Sequence, residues 1–460
     1  MTSLQMPRRQ CDETESPSGP PFRSLRVNFG WTMMGNLIYA GSQWGILVLL
    51  ARLGDPEAVG QFSLGLAITA PIILFAGLQL RSVQATDARR LFDFADYAGI
   101  RVLTTIAAVF MILAISATAY RGEIAMTIAA FALSKGIEAL SDVVYGLWQQ
   151  HERMDLIAQS LMLRGVLSLI AAAICFAAFH SVWIAVCGMA AAWAVVFAAF
   201  DLRLAAVVAG DWQSVLPRFS APPMKQLVRL SLPLGIVTML LSFNGNIPRY
   251  LISQMRGVRE LGVFAALGYT LVAGTMVVNA FGQSASPRLA LYSSQGRRRE
   301  FRRLSNRLML IGMALGASGL LVALVFGRQV ITIVYGREYA QNFGLFLWLM
   351  IAAAFSYMAS FAGYSLTAAR HFRVQMPLFG FITVLTFVLC FVMVKADGAT
   401  GAAKALATAG FVQLAATLAI LRYMESGKTA TGDGDRPNIR GGQSAGDVGI
   451  LGLCRETVKK

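Results

Sequence analysis

Five polar residues share one stretch of the chain, FALSKGIEALSDVVYGLWQQHERMDLIAQSLMLRG, from Phe131 to Gly165. They are Lys135, Glu138, Asp142, Tyr145 and Gln149. At 100° per residue they fall within an arc of about 80° on a helix. The residues between them are mostly apolar, so the helix reads as a membrane span with one polar face. A charge at that depth costs at least about 2.5–3.5 kcal/mol, so these groups must face protein or water. One use of such a face is the wall of a cavity, with Glu138 or Asp142 as a protonatable or cation-coupling group. The other is structural: Lys135 and Glu138 at i, i+3 form an internal pair that fixes helix packing. The spacing leaves both open.

Other polar groups gather near helix ends. Arg81 follows FAGLQL at the inner end of the second helix, and Arg164 lies inside the start of the fifth. Asn244, Asn246 and Arg249 occupy SFNGNIPRY near the outer end of the seventh, and Lys404 sits among small residues in the twelfth. Cations along a cleft would attract a phosphorylated substrate. Snorkelling to the interface is the alternative for Arg81 and Arg164. Interhelical hydrogen bonding is the alternative for the two asparagines. Pro233 and Pro248 are placed to bend the seventh helix.

The elements that must position these residues follow from composition. The 460 residues are 56% hydrophobic and 14% charged, with a mean hydropathy of +0.59. Soluble domains carry roughly 25% charged residues, so most of this surface must meet lipid. Spans of about 20 apolar residues recur near 29–51, 58–80, 101–119, 124–147, 157–178, 181–204, 226–246, 260–282, 307–326, 343–367, 375–394 and 398–421. The expected fold is therefore an all-α polytopic membrane protein of about twelve transmembrane helices. Alternating strand-length segments are missing, which argues against a β-barrel.

The net charge of +16 is distributed by side. With the N-terminus inside, cytoplasmic loops, helix ends and tails hold about 30 of the 40 Lys and Arg, and outer loops hold about eight. That bias puts both termini in the cytoplasm and argues against nucleic acid as the reason for the charge. The densest run, GRRREFRRLSNR from Gly296 to Arg307, reads as a cytoplasmic loop facing anionic lipid.

A repeat organises the spans. DPEAVGQFSLG (Asp55–Gly65) and VRELGVFAALG (Val258–Gly268) match at one fixed offset in Gly60 and Gly262 and in Phe62 and Phe264. Each opens the second helix of a six-helix half, and both halves enter from the cytoplasm. They read as parallel lobes related by an axis along the membrane normal. The expected divisions are a disordered tail 1–24, an N-terminal lobe 25–206, a cytoplasmic linker 207–225 broken by Pro217, Pro222 and Pro223, a C-terminal lobe 226–422 and a disordered tail 423–460.

Several chemistries are disfavoured. Cys11, Cys175, Cys187, Cys390 and Cys454 show neither metal-ligand spacing nor a disulfide framework. The first 24 residues lack the apolar core of a signal peptide. SGKT (Ser426–Thr429) lacks the first glycine of a phosphate loop, since Arg422 stands there, and no strand precedes it. DGD (Asp433–Asp435) falls in the expected tail. No sizeable outer loop exists to hold an extramembrane catalytic site.

The chain resembles the bacterial polysaccharide flippases, the Wzx-like branch of the multidrug/oligosaccharidyl-lipid/polysaccharide exporter superfamily. The phrases that carry the resemblance are LQLRSVQATD (Leu78–Asp87), KGIEALSDVVYGLWQQHERMD (Lys135–Asp155), LMLRGVLSL (Leu161–Leu169), NIPRY (Asn246–Tyr250) and IVYGREYA (Ile333–Ala340). It spans roughly residues 25–422. The resemblance implies a transporter and not an enzyme, placed in the inner membrane. Its substrate would be an undecaprenyl-pyrophosphate-linked oligosaccharide for surface polysaccharide, moved by alternating access. It implies no bound cofactor and the use of an ion gradient, for which Glu138 and Asp142, read above from the polar face, are the candidate H+ or Na+ groups. It also implies a cationic role for Arg81, Lys135, Arg164 and Arg249, with Asn244 and Asn246 beside them. The implied partners are the lipid-linked oligosaccharide, membrane lipid and polysaccharide polymerase and chain-length or export proteins. A cation-coupled multidrug exporter of the same superfamily and a membrane glycan polymerase or ligase are the alternatives.

Overall fold

The structure, a computed structural model, describes residues 25–87, 91–369 and 372–425. Both expected tails, with SGKT and DGD, lie almost wholly outside the described residues. The chain is an all-α, multi-pass membrane protein. Its helices are α1 (Leu25–Leu53), α2 (Pro56–Gly77), α3 (Leu80–Thr86), α4 (Phe94–Ala119), α5 (Gly122–Gln150), α6 (Met154–Phe179), α7 (Val182–Val196) and α8 (Leu202–Ala209). They continue with α9 (Ala221–Arg256), α10 (Val258–Tyr269), α11 (Leu271–Ser294), α12 (Arg298–Val334), α13 (Arg337–Ala340), α14 (Phe343–Ala368) and α15 (Phe372–Glu425). Large apolar side chains such as Phe110, Ile174, Leu240, Leu321 and Val384 are exposed along them, as lipid-facing surfaces require.

Among the described residues ten helices are long and apolar enough to cross a membrane, and α10 with α11, bent by 42°, makes an eleventh. The longest run hides a further span. Gly398 in α15 has φ +59° and ψ −137°, outside the helical region. A Cβ at Gly401 would overlap the Met393 carbonyl. Eight residues of straight helix would hold these two about 12 Å apart, so the chain folds back here. Counting the two legs of α15 separately gives the twelve spans expected. The Glu260 carboxylate accepts the Ala399 backbone N–H and so caps the second leg.

Two sequence expectations change. The arginine run is helix and not loop, because α12 begins at Arg298. Pro222 and Pro223 do not break a helix but open one, at the first turn of α9, where a missing N–H costs nothing. Pro233 and Pro248 both lie inside the continuous α9. The segment before α9 is pinned to the start of α4: Arg218 donates its backbone N–H to Ala95 (2.9 Å) and its guanidinium to Asp93 (2.9 Å). That hydrogen bond raises the Arg218 pKa above its already high ordinary value.

The packing differs between the two ends of the bundle. At the end holding Gly54 and Gly257, one continuous core joins both halves, including Leu50, Phe62, Phe131 and Trp193 from the first and Leu261, Phe264, Tyr335 and Leu349 from the second. At the other end the cores are separate. Val144, Trp148, Leu156 and Ala205 form one, and Leu289, Phe301, Phe361 and Leu421 another. α9 runs along α2 between the two ends. Its Tyr250 hydroxyl donates to the Ala67 carbonyl, and Leu227 is buried with Leu78, Tyr97 and Val143.

Candidate functional site: a polar network in the first six spans

The polar face of α5 meets charged partners on three other helices and aromatic ones on two more. Lys135 donates to Glu138 (2.6 Å), and the Tyr39 hydroxyl of α1 donates to the same carboxylate (3.0 Å). Lys135 also lies 5.2 Å from the centre of the Trp193 ring, a distance suited to cation–π attraction. The i, i+3 pair read from the sequence is thus formed, and α1 and α7 are tied to it.

One turn further along, Asp142 lies between two arginines. Arg101 of α4 donates to it and also to the Ala139 carbonyl (2.7 Å). Arg81 approaches the other carboxylate oxygen at 3.6 Å. Arg81 donates to the Gln149 side chain (3.0 Å) and sits 5.5 Å from the Tyr145 ring centre. Sequence reasoning put Arg81 at the end of the second helix. In the structure that helix stops at Gly77, Leu78 and Gln79 take the left-handed conformation, and Arg81 rides on the short α3. Both Leu78 and Gln79 have positive φ, 49° and 52°, which a residue with a side chain adopts at some cost.

Arg164 is the deepest cation. Its side chain is 2% exposed, and it pairs with Asp201 at 3.0 Å. It also donates to Ser141, while Asp201 accepts from Ser160 (2.6 Å), itself joined to the Tyr145 hydroxyl (2.7 Å). Asp201 closes a five-residue π-helical turn, Phe197–Asp201, between α7 and α8. One extra residue per turn re-aims a side chain within a helix, and here a wholly buried carboxylate meets Arg164.

Arg249 and its neighbours lie apart from this network. Arg249 donates to Asn246 (2.9 Å) on the same helix. It forms no ion pair with any described carboxylate. Asn246 is buried, and Asn244 one turn-face away is only partly so. Lys404 pairs with Asp397 near the Gly398 reversal. The structure therefore brings Arg81, Lys135, Glu138, Asp142 and Arg164 into one network and leaves Arg249, Asn244 and Asn246 in a second place.

Tyr39, Arg101, Trp193 and Asp201 were missed in the sequence. For Arg101 the signal was present. The apolar window begins at residue 101, so it read as a helix end, but α4 starts at Phe94 and places Arg101 two turns inside. Asp201 stands in AAFDLRLAA, a carboxylate flanked by apolar residues on both sides. Trp193 and Tyr39 carry no local mark, because a membrane helix with an aromatic residue is ordinary.

The repeated glycines meet across the joined end. A Cβ at Gly60 would overlap the Val258 carbonyl, and a Cβ at Gly262 would overlap the Pro56 carbonyl. α2 and α10 thus cross backbone to backbone, each supplying the glycine that the other needs. Trp44 donates to the Tyr335 hydroxyl (2.9 Å), and Arg52 donates to the Val334 (2.9 Å) and Thr332 (3.1 Å) carbonyls at the end of α12. The matched register has a physical meaning: two equivalent helices pack on each other, and only a residue without Cβ fits.

Comparison with known proteins gives the following. A family described as polysaccharide biosynthesis protein matches residues 25–293. The chain is 26% identical over 391 residues to the capsular polysaccharide biosynthesis protein CapF of Staphylococcus aureus, covering 84% of this chain and 96% of that one. Its fold is similar to that of a multidrug resistance MATE family transporter of the MOP superfamily solved in an inward-facing conformation, with a TM-score of 0.69 at 14% identity over 89% of this chain and 100% of the other. The lipid II flippase MurJ in an inward closed conformation superposes with a TM-score of 0.66 at 11% identity, covering 86% of this chain and 87% of that one.

Proposed function

This chain belongs to the polysaccharide biosynthesis protein family and has a MOP-superfamily transporter fold, and from that premise we propose that it flips a pyrophosphate-linked oligosaccharide carried on a polyprenyl lipid. The direction is from the cytoplasmic to the outer leaflet of a bacterial inner membrane. The lobes are 25–206 and 226–422, joined by 207–225, with both termini cytoplasmic. A pyrophosphate and sugar head loses its water in hydrocarbon without replacement, so it needs a polar shelter while its lipid tail stays in the bilayer.

The observation that carries this reading is the balance of charge. Lys135 is matched by Glu138 and Arg164 by Asp201. Arg81 and Arg101 share one carboxylate, Asp142, and Arg249 has none among the described residues. Among the cations singled out from the sequence, those left with surplus positive charge are therefore Arg81, partly exposed, and Arg249 near the joined end. They make a loading station and an inner station for an anion. A drug exporter for organic cations would need the opposite surplus. A planar guanidinium also offers the fork that suits phosphate oxygens.

The uneven packing supports alternating access as the mode of transport. The large shared core lies at the end holding Gly60 and Gly262, and at the other end the lobes meet only through the small cluster of Leu227 with Leu78, Tyr97 and Val143, so in this reading the cleft opens there, toward the loading side. Transport would separate α2 from α10 and bring the cytoplasmic ends together. Glu138 and Asp142 are the carboxylates placed to couple H+ or Na+ to that movement. A polysaccharide polymerase and chain-length or export proteins are the partners such a substrate requires.

The test is uptake by proteoliposomes, comparing labelled polyprenyl-pyrophosphate oligosaccharide with an organic cation. Transport of the first, lost in Arg81→Ala and Arg249→Ala, is expected. Transport of the organic cation alone would replace this reading with the exporter. Orientation is tested separately: a cysteine at Arg302 should react only with a permeant reagent in intact cells, and one at Glu57 with an impermeant reagent too.

A further inference from the structure

Asp142 is held unequally by its two arginines, and we infer that its carboxylate is an internal anion that competes with substrate phosphate for Arg81, with Arg101 as the positioning residue that sets the strength of that competition. The inference rests on the reading that Arg81 receives a pyrophosphate.

The two contacts differ in kind. Arg101 is buried to within a few per cent, 4% of its side chain being exposed, and is fixed twice, to Asp142 and to the Ala139 carbonyl. Arg81 is 35% exposed and stands 3.6 Å from Asp142, beyond ordinary hydrogen-bond length. Its direct hydrogen bond goes to the neutral Gln149. Arg101 therefore absorbs most of the Asp142 charge. Arg81 is left oriented, by Gln149 and the Tyr145 ring, with its own charge largely unspent. The charged groups nearest on the same face of α5, Lys135 and Glu138, neutralise each other and do not alter this count.

The arrangement solves a problem of exchange. Without any carboxylate nearby, two arginines this close would repel one another and would hold a pyrophosphate too firmly to release it. With a carboxylate paired fully to Arg81, phosphate would bind poorly. A carboxylate anchored on a third group is intermediate: it screens Arg81 when the site is empty and can take it back when substrate moves on. The break at Leu78–Gln79 puts Arg81 on its own two-turn helix, so it can shift toward either anion without moving α2. No covalent step is involved; one ion contact is exchanged for another.

The signs of the variants separate this from a merely structural role. Removing Arg101 leaves Asp142 to pair with Arg81 alone, so binding should weaken, by about tenfold for a coupled contact of this type. Neutralising Asp142 should tighten binding by a similar factor and slow turnover, because the competitor for release is gone. Removing both leaves Arg81 alone with one charge, and binding should return to within about threefold of the native value. Arg101→Lys keeps the charge while losing the guanidinium fork and should bind close to normally.

The experiment uses the full chain in lipid nanodiscs, with farnesyl pyrophosphate as the probe and inorganic pyrophosphate as a second arm. Affinity is measured for Arg101→Gln, Asp142→Asn, the double variant, Arg101→Lys and Arg81→Ala. Tighter binding in Asp142→Asn, with rescue in the double variant, supports the inference. Weaker binding in Asp142→Asn, or a double variant as weak as Arg101→Gln, overturns it. Because Asp142→Asn is nearly isosteric, its sign decides the matter even where the Arg101 variants fold poorly. Arg81→Ala keeps the two levels apart. If it binds normally, the flippase reading of Arg81 fails; if it loses binding while Asp142→Asn fails to tighten binding, only the competition fails.

Discussion

The two halves of this molecule share an architecture and differ in where they keep charge. In the first six spans Asp96, Arg101, Asp155, Arg164 and Asp201 are all buried. In the second half the buried polar residues among those described are Ser231, Asn246, Ser305, Ser365, Thr386 and Thr417, with no charged side chain. The second half keeps its ion pairs at exposed ends, as in Arg259–Glu338, Arg297–Glu300 and Lys404–Asp397. A duplicated fold therefore does not imply duplicated chemistry. Hydroxyls in membrane helices satisfy backbone carbonyls and let helices approach. Buried ions must each be matched, and that fixes which helices can move apart. Among the described residues, the first half buries its charges and the second buries only uncharged polar groups.

The largest test of that contrast is Arg164. Its removal leaves Asp201 buried and unmatched, and breaking a buried pair costs about 3–5 kcal/mol. Arg164→Ala should therefore lower the amount of folded protein sharply, as read by thermal unfolding in detergent. Replacing both Arg164 and Asp201 by uncharged residues of similar size should restore much of it. Arg164→Lys keeps the charge but loses the geometry and should fall between. Normal stability in Arg164→Ala, with lost lipid-pyrophosphate binding, would return this residue to the substrate path on which its sequence position first placed it.

The next effect tests the joined end. Gly262→Ala puts a methyl group onto the Pro56 carbonyl, so α2 and α10 must separate. Protein level should stay within about twofold, since one methyl displaced at an interface typically costs 1–3 kcal/mol. Export should fall strongly, and a cysteine at Asn246 should become reactive to an impermeant outside reagent. Gly60→Ala should do the same, because the contact is reciprocal. Unequal effects of the two would break the equivalence of the halves at the point where the sequence repeats.

How much of this was written in the sequence depends on range. The spans, the lobes' matching glycines and the polar face of α5 follow from composition and period, which are local. So does the Lys135–Glu138 pair, because i and i+3 are neighbours on any helix. The partners of Asp142 and Arg164 were not legible. Arg101 and Asp201 come from other helices, and which helix faces which is decided by packing. The π turn that delivers Asp201 leaves no signature in residue type. The division at Gly398 was legible, since the apolar windows 375–394 and 398–421 part there, but its cap was not, because Glu260 comes from far away in the chain.

A smaller effect is expected where the charges cancel within one helix. Glu138→Gln leaves Lys135 with the Trp193 ring and keeps an amide oxygen to accept from the Tyr39 hydroxyl, so folding should change by about 1–2 kcal/mol at most. If Glu138 couples an ion, export should fall further than stability does. Joint replacement of Lys135 and Glu138 by Met and Gln separates the two roles. Recovery of export in the double variant would make the pair structural and leave Asp142 as the coupling carboxylate.

The smallest effect should come from the second half, and it tests the contrast from the opposite side. Lys404 pairs with Asp397 across the Gly398 reversal, with 32% and 48% of the two side chains exposed, and lies 5.9 Å from the Trp348 ring centre. Exposed pairs are worth about 0–1 kcal/mol, and salt screens them. Lys404→Ala should therefore leave the unfolding temperature within a degree or two and export near normal, at both low and high salt. The fold-back should persist too, because Gly398 and the Glu260 cap hold it without Lys404. A large loss of export with unchanged stability would mean that the second half also presents a cation to the substrate. The contrast between the two halves would then have to be redrawn to include α15.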